Sequence, residues 1–398
     1  MRIKAFSERR VFAVRLLHSA DWHLGKSIFG RSMLPEQEYF VEHAFLPAVD
    51  SVRPDAVLLA GDIFDRPVAP VEALRLFGRV VSELCGTRKI PVFVIAGNHD
   101  GPDRLALYAP LLGAQGLFLS ARPLDTPPVR LRDERGEVFV HLLPYFDAAQ
   151  ARDLLGRDDI HGQQEAFRAM MEAVRPVPGV RNVLVAHCFA AGGATCESES
   201  PLAVGGSEEV DPAVFAGFDY VALGHLHGPQ RAGENGAYSG SPLKYSFDEE
   251  RHKKSLALVT LAETATVERL PVKPLHDLRV ISGTAGELCE AAETDPARED
   301  FVYAELADTR PVYEPMALLR EHYPNILGLR PGWLEAGETA REGLREGVRT
   351  GSGDRMLFET FLRQVCGVEP QEDELTVFAE LMRQAENGEA PAGGGPKA

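Results

Sequence analysis

The chain has 398 residues, of which 44% are hydrophobic and 25% charged, so it is long enough to form more than one globular domain. Its formal net charge of -17 argues against a basic nucleic-acid coat protein, although bound divalent metals and a local basic face can overcome that sum. The sequence shows no apolar run near the ~20 residues of a membrane helix and, among five cysteines, no C-x-x-C pair. Its basic start lacks an apolar core and a small-residue cleavage site, so we expect no signal peptide. We therefore expect a cytoplasmic protein without a membrane segment and with reduced thiols.

Between Val11 and about Leu275, short β-rich runs alternate with helical stretches. The predicted strands are "VFAVRLLHS", "DAVLLAGD", "IPVFVIAGNHD", "VFVHLLPYF", "NVLVAHCF" and "FDYVALGHLH". The predicted helices include "PEQEYFVEHAFLPAVDSV", "PVEALRLFGRVVSELC", "PDRLALYAPLL" and "QEAFRAMMEAV". The strands are continuous apolar runs, which is typical of strands buried on both faces. The pattern predicts an α/β fold with helices covering a central sheet.

The sequence after residue 275 predicts several smaller units. Alternating strands and helices from His276 indicate a small α+β domain at 276–334, after a first domain at 1–275. A charged, glycine-rich linker follows at 335–353, then a helical segment at 354–387 with apolar residues at three- and four-residue spacing. The low-complexity tail at 388–398 is predicted to be disordered.

Polar side chains follow five of the predicted strands, at the point where each strand ends. In open α/β sheets these carboxyl ends form the rim where ligands bind, so we expect the five segments to converge there. The residues concerned are Asp21, His23, Asp62, Asp65, Asn98, His99, Asp100, His187, His225 and His227.

So many carboxylates and imidazoles at one edge would compete for few hydrogen-bond donors, and two divalent cations would resolve this. The D-x-H and H-x-H spacings project two side chains the same way from an extended backbone, because side-chain direction there has a period of two. Mixed oxygen and nitrogen ligands suit Mn²⁺ or Fe²⁺, with Zn²⁺ also possible. We expect Asp62 to bridge the metals, with Asp21, His23 and His227 completing one site and Asn98, His187 and His225 the other.

Two metals about 3.5–4 Å apart form a template for phosphoester hydrolysis. A group that binds no metal must then assist the leaving oxygen, and His99 is the candidate acid. Asp100 or Asp65 is expected to hold its ring. Each motif alone has an ordinary structural explanation, but the five together argue for the metal site.

In this order the motifs resemble the calcineurin-like metallophosphoesterase superfamily, whose pattern is D-x-H, G-D-x-x-D, G-N-H-[DE], a single H and G-H-x-H. "LLHSADWHLG" and "SGSPLKYSFDE" are similar to the bacterial SbcD nuclease subunits within it. The resemblance implies a sandwich of mixed β-sheets flanked by helices. It also implies a DNA-binding capping domain at 276–334 and an ATPase-binding helical segment at 354–387. At Asp65, archaeal and eukaryotic relatives commonly place histidine.

The resemblance further implies a manganese-dependent 3′→5′ exonuclease on duplex DNA and an endonuclease on single strands and hairpins. Such a subunit processes double-strand breaks on the nucleoid with an SbcC-type ATPase, as a homodimer within a heterotetramer. Basic residues in "RSM", "RHKK" and "LRLRDERG" could line a DNA groove. The alternatives are a stand-alone metallophosphatase acting on phosphomonoesters or nucleotides, which the acidity favours, and a scaffold with structural metals.

Overall fold

The computed structural model describes residues 12–107, 109–199, 209–332, 354–364 and 368–386. The chain divides into two compact units, Met1–Asp277 and Leu278–Ala398. The five-part division drawn from the sequence stays a prediction, and its linker at 335–353 and tail at 388–398 lie outside the described residues.

The first unit contains two six-stranded sheets. In the first sheet the central strands are parallel and the last two strands of the unit pair antiparallel at one edge. Its order is β14 (Ala265–Pro271), β13 (Ser255–Leu261), β1 (Val14–Ser19), β4 (Ala56–Ala60), β5 (Val92–Ile95) and β6 (Leu117–Ser120).

The second sheet has four parallel strands between two antiparallel edge strands. Its order is β11 (Gln230–Ala232), β12 (Gly236–Tyr238), β10 (Tyr220–Gly224), β9 (Arg181–His187), β8 (Gly136–Leu143) and β7 (Val129–Asp133). Of the strands of these two sheets up to β10, β6 and β7 have no counterpart among the predicted strands.

Side chains from both sheets share one apolar core, which includes Leu16, Leu58, Phe93, Val140 and Val185. The neighbouring residues on the strands point the other way and are equally buried, as at Leu17, Val57 and Leu59. A second core joins the outer face of the second sheet to α6 (Ala148–Leu155) and α7 (Gln163–Ala173). The strands are therefore buried on both faces, and the predicted α/β class is confirmed.

Two of the predicted helices are each formed by α-helical and π-helical segments in direct succession. Helix α1 (Leu34–Phe40) runs through a π-helical turn at Val41–Phe45 into α2 (Leu46–Val52), and α3 (Val71–Val81) continues as π-helix over Ser82–Thr87.

The predicted helix "PDRLALYAPLL" is two short helices, α4 (Pro102–Leu105) and α5 (Ala109–Leu112). Pro110 has no amide hydrogen to donate to the carbonyl four residues earlier, so a single helix cannot run through. Short 3₁₀ turns lie at Gly113–Gln115, Pro212–Phe215 and Phe247–Glu249, and a hairpin is formed by β2 (Ser27–Ile28) and β3 (Arg31–Ser32).

The second unit begins with three parallel strands joined by two helices. They are β15 (Leu278–Gly283), α8 (Ala285–Ala292), β16 (Phe301–Leu306), α9 (Pro315–His322) and β17 (Ile326–Pro331). Helix α8 starts with a capping box between Thr284 and Glu287. A C-terminal helix pair follows, Asp354–Gln364 and Glu372–Glu386, in which Phe358 stacks on Phe378 at 4.0 Å between ring centroids.

Within the described ranges, we find no helix with the length and apolarity needed to cross a membrane.

Candidate metal centre

The carboxyl ends of β1, β4 and β5 in one sheet and β9 and β10 in the other meet at one rim. Backbone hydrogen bonds tie the loops that leave them. Asp21 N–H donates to the carbonyl of Gly61 at 3.0 Å, and His23 N–H to that of Asp62 at 2.9 Å. Across the sheets, His225 N–H donates to Asp21 Oδ1 at 2.9 Å. The structure thus gathers the predicted segments at one place.

Several site residues adopt a left-handed backbone. The φ angles are 55° at Asp21, 44° at His23, 50° at Asp62 and 108° at His225. Non-glycine residues avoid this region, and such strain persists only where the surroundings enforce it. The extended-backbone argument for D-x-H and H-x-H is therefore wrong, because these residues reach the site through tight left-handed turns.

Two motif glycines are required by close packing. A Cβ at Gly97 would collide with Asp62 Oδ1, and a Cβ at Gly224 would collide with the carbonyl oxygen of Ala60. Gly97 therefore lets the loops after β4 and β5 approach one another, and Gly224 lets the end of β10 approach the end of β4 in the other sheet.

One half of the site contains Asn98, His187 and His225. His187 Nδ1 lies 2.8 Å from the carbonyl of Ala60, which can only accept, so the hydrogen is on Nδ1. His187 Nε2 lies 2.9 Å from Asn98 Oδ1, and His225 Nδ1 lies 3.2 Å from the same oxygen. In neutral His187, Nε2 and Asn98 Oδ1 are both acceptors, and a cation between them would satisfy both.

The other half contains His23 and His227, whose Nε2 atoms lie 3.1 Å apart. Asp62 Oδ2 lies 3.7 Å from His23 Nε2 and 3.5 Å from His187 Nε2, so this oxygen stands between the two halves. Asp62 Oδ1 accepts the backbone N–H of His99 at 2.9 Å.

The site has an excess of buried negative charge. Burial raises the pKa of Asp21 well above its usual range, and its Oδ2 has no hydrogen-bond partner in the described part of the chain. Burial also disfavours charge on His187, but the Asp62 and Asp21 carboxylates outweigh it and raise the His187 pKa to about 9. The carboxylates of the site thus favour positive charge at this place, which bound cations would supply.

The donor set fits divalent cations. Among the described residues, three groups of side chains place their ligand atoms within 4.8 Å of one another, and Asp62 belongs to two of them. The donors are carboxylate and amide oxygens and imidazole nitrogens, which suit first-row metals. The two that share Asp62 are His23, Asp62 and His99, and Asp21, Asp62 and His187, and the third is Cys196, His227 and Glu249.

The expectation that a carboxylate orients His99 needs correction. His99 Nδ1 lies 3.0 Å from the backbone carbonyl of Asp65, so the main chain holds the ring. The Asp65 carboxylate instead accepts from Lys26 Nζ at 2.9 Å.

Asp100 has a different task from the one expected. Its carboxylate accepts the backbone N–H groups of Ile63, Phe64 and Gly97 at 3.1, 2.9 and 2.9 Å. Burial raises its pKa to about 6, although these three hydrogen bonds favour the charged form. Asp100 therefore fastens the loop after β4 to the loop after β5.

Sequence analysis missed a buried ion pair behind His227. Glu249 Oε1 lies 3.3 Å from His227 Nδ1, and its Oε2 pairs with Lys254 Nζ. Lys254 also donates to the His227 carbonyl at 2.9 Å and to Ser241 Oγ at 2.8 Å. Burial opposes charge on Glu249, but Lys254 and His227 hold its pKa well below the usual range. The only available signal was the position of Glu249 in "SFDE", after G-H-L-H.

Neutral polar and aromatic contacts hold His23 from the side away from the site. Gln37 Nε2 donates to the His23 carbonyl at 2.8 Å, and its Oε1 accepts from Gly25 N–H at 2.9 Å. The Tyr245 ring packs edge-on against His23 with 5.7 Å between centroids. These contacts fix the position of His23 from behind.

Comparison with known proteins finds two matching family models. The model described as "Calcineurin-like phosphoesterase" matches residues 14–229, and the SbcD_C model, described as "Type 5 capsule protein repressor C-terminal domain", matches residues 274–365. Among solved structures, a hypothetical protein from Thermus thermophilus is 14% identical, over 65% of this chain and 99% of that chain. Its TM-score is 0.33, which does not establish a shared fold.

Proposed function

Because the chain belongs to the calcineurin-like phosphoesterase family and carries an SbcD-type C-terminal domain, we propose that it is a two-metal DNA nuclease subunit. Membership makes it a metal-dependent phosphoesterase of nuclease type. The proposed activities are 3′→5′ exonuclease on duplex DNA and endonuclease on single strands and hairpins. The observation that carries the proposal is the presence of both matched segments in one chain.

We assign the metal ligands as the residues gathered at the rim. When bound, two divalent cations, of which Mn²⁺ is our candidate, would lower the pKa of a water molecule and orient the phosphate. The side chains act as positioned donors, with Asp62 shared. The proposed ligands are Asp21, His23, Asp62, Asn98, His187, His225 and His227.

His99 is the proposed general acid. The Asp65 carbonyl fixes its Nδ1 at 3.0 Å, which leaves Nε2 to hold the proton given to the leaving oxygen. Its ring lies 4.7 Å from that of His23 and is only half-buried, so a substrate can reach it. Asp65 and Asp100 support the acid through the backbone and the loops rather than by a direct carboxylate contact.

The decisive experiment compares two substrates with the same preparation. Linear duplex DNA and p-nitrophenyl phosphate are each incubated with the chain and Mn²⁺, and again after chelation. A nuclease hydrolyses the DNA and needs the metal. Preference for the monoester would instead support a stand-alone phosphatase acting on phosphomonoesters or nucleotides.

The proposed partner is an SbcC-type ATPase, bound by the C-terminal helix pair. In support, several large apolar side chains of the pair are 40–63% exposed: Met356, Phe361, Val377 and Leu381. Such exposed side chains are typical of partner surfaces. We further propose a homodimer within a heterotetramer, acting at double-strand breaks on the cytoplasmic nucleoid.

Truncation tests the partner assignment. Removing everything after Gly353 should spare hydrolysis of simple DNA substrates and abolish co-purification with the ATPase. Removing only 388–398 is the matched control and should leave association intact. Continued association without the helix pair would refute the docking role.

A further inference from the structure

An aromatic residue stands at the tip of the β2–β3 hairpin in an unfavourable backbone conformation. The two turn residues, Phe29 and Gly30, have φ angles of 48° and 78°. Two-residue hairpin turns with both φ values positive favour asparagine, aspartate or glycine, and a bulky side chain there is an outlier. Phe29 is nevertheless 61% exposed, so burial does not account for its presence.

A second aromatic ring supports Phe29. The rings of Phe29 and Phe247 lie 5.6 Å apart with an angle of 60° between their planes. Phe247 begins the 3₁₀ turn that carries Glu249, and two residues earlier the Tyr245 ring lies 6.0 Å from that of His227. The aromatic pair is therefore attached to the wall of the metal centre.

Cationic side chains accompany the pair. Lys26, just before the hairpin, has its Nζ 2.9 Å from Asp65 Oδ1 and 5.7 Å from the centre of the Tyr245 ring. Arg66 lies beside the same carboxylate, with Nε 3.5 Å from Asp65 Oδ2 and a side chain that is 66% exposed. Arg31 is exposed on β3, two residues after Phe29. Positive charge and an exposed aromatic face thus occur together beside the site.

We propose that Phe29, backed by Phe247, is a stacking platform for a nucleobase next to the phosphate that is cut. This rests on the proposed function, since it names how the nuclease would hold its strand. Lysine and arginine track a phosphate backbone, and aromatic rings take the faces of bases without regard to sequence. The need for an exposed ring explains why the turn tolerates a strained phenylalanine.

The test compares DNA with and without bases. One duplex oligonucleotide is intact, and a second carries abasic tetrahydrofuran nucleotides at the last three positions of each 3′ end. Hydrolysis with Mn²⁺ is followed for wild type, Phe29→Ala, Phe29→Leu and Phe29→Trp. Phe12→Ala is the matched control, because Phe12 is 75% exposed and precedes β1 at the end away from the site.

We expect Phe29→Ala and Phe29→Leu to raise KM for intact DNA about tenfold, with little change for abasic DNA. Phe29→Trp should keep the wild-type preference for bases, and Phe12→Ala should match wild type on both substrates. Equal changes on intact and abasic DNA, or full retention of the preference in Phe29→Leu, would overturn the platform and leave the nuclease assignment standing. No cleavage of either oligonucleotide by wild type would remove both proposals.

Discussion

Substitutions in the buried Glu249–Lys254 ion pair behind His227 can distinguish a loss of protein stability from a loss of metal affinity. The Glu249 side chain is 0% exposed and the Lys254 side chain 4%. Removing one partner of such a pair leaves an uncompensated buried charge and costs about 3–5 kcal/mol. Glu249→Met and Lys254→Met should each lower the Tm of the metal-free chain by roughly 6–20 °C, at about 2–4 °C per kcal/mol.

In the double variant, Glu249→Met with Lys254→Met, thermal stability should recover but metal affinity should not. Replacing both charges by apolar chains of similar volume is often neutral, so most of the lost stability should return. Metal affinity should not return, because His227 Nδ1 still lacks the Glu249 carboxylate, which acts on the ring directly at 3.3 Å and through Ser198 Oγ, 2.8 Å from Nδ1. Losing such a partner weakens a metal site by about 10–100-fold.

The measurements are thermal unfolding in chelator and calorimetric titration with Mn²⁺. We expect weaker binding at one site in Glu249→Met and in the double variant, and near-normal binding in Lys254→Met. If Lys254→Met weakened Mn²⁺ binding as much as Glu249→Met, the orienting role of Glu249 would be lost.

Three further substitutions test the remaining roles. His99→Gln should keep its metal content by elemental analysis yet lose hydrolysis by roughly 10²–10⁴-fold; loss of metal as well would make His99 a ligand. Asp62→Asn should empty both sites, since Oδ2 lies between their imidazoles, and one retained equivalent would contradict the bridge. Asp133→Asn should lower the free energy of unfolding in denaturant by about 3–5 kcal/mol, because the buried Asp133 carboxylate binds Arg181 at 2.5 and 2.8 Å. The control Glu137→Gln, at an exposed ion pair, should lower it by about 0–1 kcal/mol. Burial disfavours the Asp133 anion, but the Arg181 hydrogen bond and charge outweigh burial and lower the Asp133 pKa. The stabilisation by this ion pair is therefore present above roughly pH 4 and should be lost as pH falls through the pKa of Asp133 in the folded protein. A difference in stability between variant and wild type that did not change with pH would refute this reasoning.

The sequence predicts which residues meet because strand ends are readable from local pattern. Apolar runs ending in Asp21, Asp62 or His187 need only the rule that parallel strands share a carboxyl edge. The left-handed turns at Asp21 and His225 were not predictable, since aspartate and histidine adopt φ above zero more often than most residues but still in only a small minority of cases. The backbone that carries the ligands is set by neighbouring loops.

Contacts distant along the chain account for the other differences. Asp100 looked like a partner for its neighbour His99, but the adjacent loop offered two amide donors, Ile63 and Phe64, and its own loop offered a third, Gly97. The pair of Glu249 and Lys254 is close in sequence, yet its role depends on where β10 places His227. Short polar motifs therefore identify the groups that face the ligand more readily than the groups that hold them.

The strand order has a consequence for biosynthesis. Strand β1 pairs with β13, so the strand leading to Asp21 gains one of its neighbours only after Ser255–Leu261 has been made. A chain growing on the ribosome displays Asp21, His23 and Asp62 long before His187 or His227 exists. Pairings between such distant segments form slowly. The proposed cation site would therefore be complete only after most of the first unit has been made.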